Sequence, residues 1–427
     1  MSPIDPSIPS RASGEPRAPT RRGFLQASAV AGAAALTPGP AFAKPAARRG
    51  GTKVTVVIFQ RGGADHLELY APVGDSNYAI LRPTVGIQPP GSASGTVGLA
   101  MNATFAMHPG MTGVHAEFTA ANSRAAVVHA VGYQPYDRSH FVSQDLYETA
   151  LQTASFDGWI NRHLQVTAAP GQAPVRGLAI RGSLPVSMYG SYPCYAVAST
   201  QDLVFGGVAD VRLFLEAIVD STVTAGMTAA QQLAYSSGRA TFDLIDHFAG
   251  LDPLNYVPAN GAQYPAGALG KALREVAEVI KAGLGVEFFA VDHGGWDHHH
   301  NLLSSIAPLA TELSAAITAF FVDLGVLGDD VVLVTMSEFG REAHENGSSG
   351  TDHGVGGAML LYGGGVLGGL VHGVWPGLAP AALQDGRFLA PANDYRDVLR
   401  EILVTHMGGT DPALVFPGRV YQPIGVL

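Results

Sequence analysis

The sequence predicts an α/β fold in which a mostly parallel sheet is sandwiched between helices. Three observations predict it. Continuous β-branched and apolar runs at 54–59, 125–131, 286–291, 330–336 and 358–362 read as strands buried on both faces. Segments with helical apolar spacing alternate with them, the clearest being 302–324, where Leu302, Ile306, Leu309, Leu313, Ile317, Phe320, Phe321 and Leu324 form one stripe. Hydrophobic residues make up 47% of the chain against 14% charged, ample for one large core.

The first 43 residues stand apart. Thr20-Arg21-Arg22-Gly23-Phe24-Leu25 is a twin-arginine pattern, a small-residue apolar stretch follows from 27 to 36, and Ala41-Phe42-Ala43 offers a cleavage site. The apolar stretch is too short to span a bilayer. The reading is a signal peptide for the twin-arginine translocon, with a periplasmic or extracellular destination. Residues 44–427 then form a single domain, and no later segment reads as a membrane span. Loss of the leader removes Arg11, Arg17, Arg21 and Arg22 against Asp5 and Glu15, so a chain already at −10 becomes more acidic. That charge excludes a nucleic-acid partner, because phosphate backbones need a basic surface. Cys194 is the sole cysteine, which rules out an intramolecular disulfide; in its Tyr/Pro/Gly setting it reads as a buried, inert thiol.

Along the domain, the strand at 54–59 empties into Arg61-Gly62-Gly63-Ala64-Asp65-His66, and 71–107 is Gly/Pro-rich and irregular. A short helix is expected over 111–120, and the second strand at 125–131 leads to Asp137-Arg138-Ser139-His140-Phe141 and a helix over 142–151. Gly158-Trp159 opens another helix. The stretch 169–264, with short strands at 177–181 and 195–198 and helices at 211–218 and 228–248, is expected to be a cap or insertion. A helix over 269–282 feeds the strand at 286–291, and a helix over 394–406 closes the chain.

The densest chemistry follows 286–291. Asp292-His293-Gly294-Gly295-Trp296-Asp297-His298-His299-His300-Asn301 places four histidines and two aspartates in ten positions, a ligand mixture that divalent cations choose. The strand at 330–336 runs into Ser337-Glu338-Phe339-Gly340-Arg341, and Thr351-Asp352-His353-Gly354 precedes the strand at 358–362. Three strand exits thus deliver carboxylates and histidines to the end of the sheet where α/β proteins build their sites. Ser139 begins a helix, where a serine is either an N-cap or, aided by the helix dipole and Arg138, a nucleophile or anion contact. There is no G-x-S-x-G elbow. Gly363-Gly364-Gly365-Val366-Leu367-Gly368 matches a dinucleotide fingerprint in spacing only, since the Gly- and Pro-containing run after it cannot open a helix; it reads as a turn.

Taken in order, the twin-arginine leader, Arg61-Gly62-Gly63-Ala64-Asp65, Ser139-His140-Phe141, Gly158-Trp159, Gly294-Gly295-Trp296-Asp297, Ser337-Glu338-Phe339-Gly340-Arg341 and Gly350-Thr351-Asp352-His353-Gly354 resemble the exported domain-of-unknown-function family 1501. That family in turn resembles a branch of the alkaline phosphatase/sulfatase superfamily. The resemblance implies metal ligands at Asp65, Asp297, His299, Asp352 and His353 and a nucleophile at Ser139. The superfamily's last histidine has only His372 as a counterpart. It implies metal-assisted hydrolysis of a phosphate or sulfate ester, on a small molecule or polysaccharide, with zinc, calcium or manganese bound. Arg138 or Arg341 would neutralise the equatorial oxygens, and Glu338 or His140 would handle protons. Two other classes fit the same residues: a non-catalytic metal-binding scaffold, and redox chemistry at copper or iron.

Export is testable directly. Replacing both Arg21 and Arg22 by Lys is expected to strand the protein in the cytoplasm; wild-type secretion of that double variant would sink the twin-arginine assignment.

Overall fold

The computed structural model describes residues 51–153, 155–203, 213, 215, 217, 227–409 and 411–427. The leader and most of the helix expected over 211–218 lie outside the described residues.

Nine strands form the central sheet: β1 (Val54–Gln60), β2 (Ala125–Gly132), β3 (Gly177–Ile180), β4 (Tyr195–Val197), β5 (Phe288–His293), β6 (Val331–Met336), β7 (Gly357–Gly363), β8 (Val371–His372) and β9 (Asn393–Asp394). Their order is β8-β2-β7-β6-β1-β5-β3-β4, with β9 also paired to β2. All neighbours run parallel except β7, which is antiparallel to both β2 and β6. The expected α/β sandwich is what the chain adopts. Every residue of β1, β2, β6 and β7 is buried, which is why those strands read as unbroken apolar runs rather than as an alternation.

Helices cover both faces. On one side lie α1 (Thr112–Phe118), α5 (Ala268–Lys281) and α6 (Leu302–Leu324), whose Val114, Phe118, Leu273, Val276, Leu313 and Phe320 share a core with Val56 and Ile58 of β1. On the other lie α2 (His140–Thr149), α3 (Trp159–Val166) and α7 (Tyr395–Glu401), packed on Val57 and Phe59 through Leu146, Trp159, Ile160 and Leu399. Helix α4 (Ala229–Phe248) opens with a capping box between Thr228 and Gln231. Alternate residues of β1 therefore face two separate apolar layers, as its period of two requires.

Four expectations change. The segment 169–264 is not wholly a cap, because β3 and β4 extend the central sheet beside β5. Strand β5 starts later and runs to His293, so Asp292 and His293 are strand residues rather than loop residues. The helix at 394–406 is α-helical only to Glu401, and its last turn, Ile402–His406, widens to a π-turn whose His406 Nε2 lies 2.9 Å from the Val54 carbonyl. Finally, the helical stretch Leu302–Asp330 has the length and hydropathy of a membrane span, which the sequence reading did not assign to it; 56% of its most apolar window is buried inside this fold. The stretch 71–107 holds a short helix, Ser76–Leu81, and two strands of a small three-stranded sheet. Gly363 and Gly365, at φ 134° and 84°, make the expected turn after β7.

Cys194 is partly buried, and burial pushes its thiol up to about 12, as expected for an unreactive group.

The C-terminal segment is held by one carboxylate. Glu401 is 5% exposed, and its Oε1 accepts from Tyr421 Oη (2.7 Å), Ile424 N (2.7 Å) and Gly425 N (2.9 Å), while Oε2 accepts from Val426 N (2.8 Å). Burial opposes ionisation here, but these hydrogen bonds hold the group below the ordinary carboxylate range. A depressed folded value means the stabilisation is complete above the unfolded value of about 4.3 and is lost as pH falls through the folded one. Glu401→Gln should therefore cost about 1–3 kcal/mol at pH 7 in denaturant unfolding. The gap between variant and wild type should narrow on acidification below pH ~4; a gap independent of pH would show that the carboxylate charge is not what holds the tail.

Candidate metal centre

Strands β1, β5 and β6 end level with one another, Gln60 opposite His293 and Phe59 opposite Met336. Their exits are then tied together by backbone. Arg61 N donates to His293 O at 2.9 Å, and Trp296 N donates to Arg61 O at 3.1 Å. Two glycines permit the closest approaches. At Gly62 (φ 120°) a Cβ would meet Asp297 N at 2.6 Å, and at Gly350 it would meet the His299 carbonyl carbon at 2.3 Å. These contacts bring Asp297–His299 against Thr351–His353, although α6 and β6 separate the two in sequence.

The start of α2 completes the group. The ligand atoms of His140, Asp297 and His353 all lie within 4.8 Å of one another. His299 joins them, its Nε2 3.1 Å from Asp297 Oδ1 and 3.0 Å from His353 Nε2. Asp297, His299 and His353, expected as ligands, thus converge, and His140, expected to move protons, sits among them.

The tautomers follow from what each Nδ1 touches. His140 Nδ1 is 2.9 Å from Glu338 Oε1, His299 Nδ1 is 2.8 Å from Asp352 Oδ1, and His353 Nδ1 is 2.8 Å from the Arg138 carbonyl. Ionised carboxylates and carbonyls only accept, so each Nδ1 is the donor to its partner. The three Nε2 atoms all face Asp297, at 3.6 Å for His140, 3.5 Å for His353 and 3.1 Å for His299. Two imidazole lone pairs 3.0 Å apart repel, and a shared proton or a bound cation relieves that. Donating the far nitrogen of each ring to an acceptor is how histidine ligands are oriented around metals. Burial and the Arg341 charge outweigh the hydrogen bond to Arg138 and hold His353 below the ordinary imidazole value, in its neutral, ligating form.

Asp297 is half-exposed. Burial would raise it, but the hydrogen bond and charge of Arg341, then His299 and His140, keep it below the carboxylate norm. Arg341 Nη2 lies 2.5 Å from Asp297 Oδ1.

Several expected roles change with these positions. Asp65 is not in the cluster. It is wholly buried, with Oδ1 taken by Arg82 Nη1 (2.9 Å) and Glu68 N (3.2 Å), and Oδ2 by Thr351 Oγ1 (2.8 Å). Asp352 spends Oδ1 on His299 Nδ1 and Asn346 Nδ2, which fixes the His299 ring, and its Oδ2 makes no hydrogen bond among the described residues. Glu338 is 0% exposed and accepts from Gly62 N, His140 Nδ1 and Gln144 Nε2, each at 2.9 Å. Burial pushes it up, yet those donors hold it ionised below its usual range, which fits it for fixing His140 rather than for moving protons to a substrate. Arg341 is 1% exposed, and all its nitrogens are engaged: Nε with Gly63 O, Nη1 with Thr351 O, Nη2 with Gly62 O, Trp296 O and Asp297. Its side chain is fully buried, so it presents no exposed donor to substrate oxygens.

His372 lies on β8 at the sheet edge and hydrogen-bonds the Leu367 carbonyl, apart from the cluster. Arg138 is exposed, its guanidinium 4.8 Å over the Phe388 ring. Ser139 is exposed at the N-cap position of α2, but its hydroxyl makes no cap bond. Its N–H goes to Asp137 Oδ1 at 2.6 Å.

Sequence reasoning missed Gln144, Arg82 and Thr351. Gln144 was within reach, because it stands four residues after His140 on a helix and so shares its face. Arg82 and Thr351 serve a buried pairing that no local spacing announces.

No curated protein matches this chain. Among solved structures, the C-terminal periplasmic domain of EcEptC from Escherichia coli, crystallised in complex with Zn, overlays with a TM-score of 0.31 and 9% identity, over 76% of this chain and 77% of that one. Residues 265–411, which carry Asp297, His299, Glu338, Arg341, Asp352 and His353, match the family described as Protein of unknown function (DUF1501).

Proposed function

We propose that this chain is an exported metal-dependent hydrolase of phosphate or sulfate esters. One observation carries the reading: three imidazole Nε2 lone pairs, each fixed by a spent Nδ1–H, converge on the Asp297 carboxylate at the exits of parallel strands. Three neutral imidazoles and one carboxylate suit zinc and its neighbours; calcium, which wants six or more oxygens, does not fit this donor set. Such an ion supplies Lewis-acid polarisation of an ester oxygen.

The chain's own residues supply the rest. His140, His299, His353 and Asp297 hold the ion, with Glu338, Asp352 and the Arg138 carbonyl setting the ring orientations. Ser139 offers an uncommitted hydroxyl one residue before His140, at the amino end of a ten-residue helix whose dipole favours an anion. The exposed Arg138 guanidinium, over the Phe388 ring and 3.4 Å from the His353 carbonyl, would meet the ester's negative charge. With Arg341 locked and Glu338 buried, Arg138 is the cation left for that task.

Protein purified without chelator is expected to carry a zinc-class metal by elemental analysis. His353→Ala should lose it, and Glu338→Gln should weaken its binding by about 10–100-fold. Protein that holds no metal and takes up none of zinc, nickel, cobalt or copper would end the hypothesis.

Ser139→Ala should abolish turnover of an aryl phosphate and an aryl sulfate while leaving metal content and thermal midpoint unchanged, since no cap bond is lost. Equal turnover by variant and wild type would remove Ser139 from the chemistry. A metal-loaded wild type inert on both esters would favour the scaffold or redox class.

A further inference from the structure

The geometry points to a centre that takes one metal ion, with the Arg341 guanidinium acting as a second, permanent cation on Asp297. The inference rests on the metal-binding reading above and settles how many ions that site holds.

A carboxylate bridging two metals must offer one oxygen to each. In Asp297, Oδ2 faces His140 Nε2 at 3.6 Å, while Oδ1 faces His299 Nε2 at 3.1 Å and His353 Nε2 at 3.5 Å and also accepts from Arg341 Nη2 at 2.5 Å. An ion bound to Oδ1 on that side would sit about 2.0–2.2 Å from the oxygen, in the space the guanidinium fills and against its charge. Arg341 cannot swing away, because its nitrogens are also held by the carbonyls of Gly62, Gly63, Trp296 and Thr351, and the side chain is buried. It cannot deprotonate either, since arginine stays charged at any working pH.

The other carboxylates near the strand exits are equally committed. Asp65 has both oxygens engaged, by Arg82, Glu68 N and Thr351. Glu338 Oε1 already accepts from three donors. Asp352 keeps only Oδ2 uncommitted, half-exposed, and one oxygen does not make a site. Among the described residues one group of three or more candidate ligand residues forms, and it is the one at Asp297. Two arginines, 341 and 82, thus occupy two of the three carboxylates that sequence resemblance had assigned to metal.

The test is the number of ions that depend on Asp297. Wild type and Asp297→Asn would be loaded with excess zinc, desalted, and measured by native mass spectrometry alongside elemental analysis, with circular dichroism to confirm that the variant is folded. If the variant does not fold, His353→Ala, which leaves the Arg341–Asp297 pair intact, takes its place. The expected result is that the variant holds one zinc fewer per chain than wild type, whatever number of ions the surface histidines add to both. A difference of two overturns the single-ion inference and leaves the metal-dependent reading standing. A difference of zero overturns both.

Discussion

Arg341 holds the upper end of this molecule together. From its place just beyond β6 it donates to Gly62 and Gly63 after β1, to Trp296 and Asp297 after β5, and to Thr351 before β7. Three loops, those after β1, after β5 and between β6 and β7, are fixed there by one planar group. Charge-assisted bonds of this kind contribute about 1.5–3 kcal/mol each, and a buried charge stripped of its partner costs about 3–5 kcal/mol. A neutral side chain at 341 would therefore remove a charged partner from four carbonyls and from Asp297. Lysine would not replace it, because a single ammonium cannot span acceptors set around a fork.

The cluster below that fork is ordered by protons. A carboxylate, a second carboxylate and a main-chain carbonyl each take one Nδ1–H, and the three opposite lone pairs are directed inward as a consequence. The partners come from separate places: Glu338 from the β6 exit, Asp352 from the loop before β7, and Arg138 from the approach to α2. No single loop could set all three rings, which is why the centre forms only where the strand ends meet. Glu338 is in turn oriented by Gly62 N and Gln144, so the outermost contacts of the site reach into α2 and the β1 exit.

The class of fold and the position of the site were legible in the sequence, and the pairings within the site were not. Val54–Gln60 and Val331–Met336 announce themselves because both faces of each strand are buried, leaving an unbroken apolar run. Asp297, His299 and His353 announce themselves because they cluster at strand exits. Asp65 shows the limit. It occupies a strand exit like the others, but its fate is decided by Arg82, seventeen residues away on an irregular segment, and by Thr351, far along the chain. Glu338, Arg341 and Asp352 were picked out by their place at strand exits, but the hydrogen bonds that tie up Glu338, Arg341 and Asp352 Oδ1 were not visible in the sequence. Residue type and spacing show which groups assemble, whereas burial and hydrogen-bond saturation decide which can still touch a substrate. The short strands β3 and β4 were expected at 177–181 and 195–198, but their place in the central sheet was not, since strands so brief carry no sign of which edge they pair with.

Helix α6 carries a consequence of its own. Its stretch Leu302–Asp330 reaches a mean hydropathy of 1.5 and could pass for a bilayer-spanning segment, and only the packing of α1, α5 and the sheet against it hides that character. A route that threaded the unfolded chain across a membrane would expose this segment to lipid partway through, ahead of the last quarter of the chain, which carries Glu338, Arg341 and His353. A chain that folds first presents no such segment. If the protein is exported, the apolar stripe that builds the core therefore favours folding before translocation.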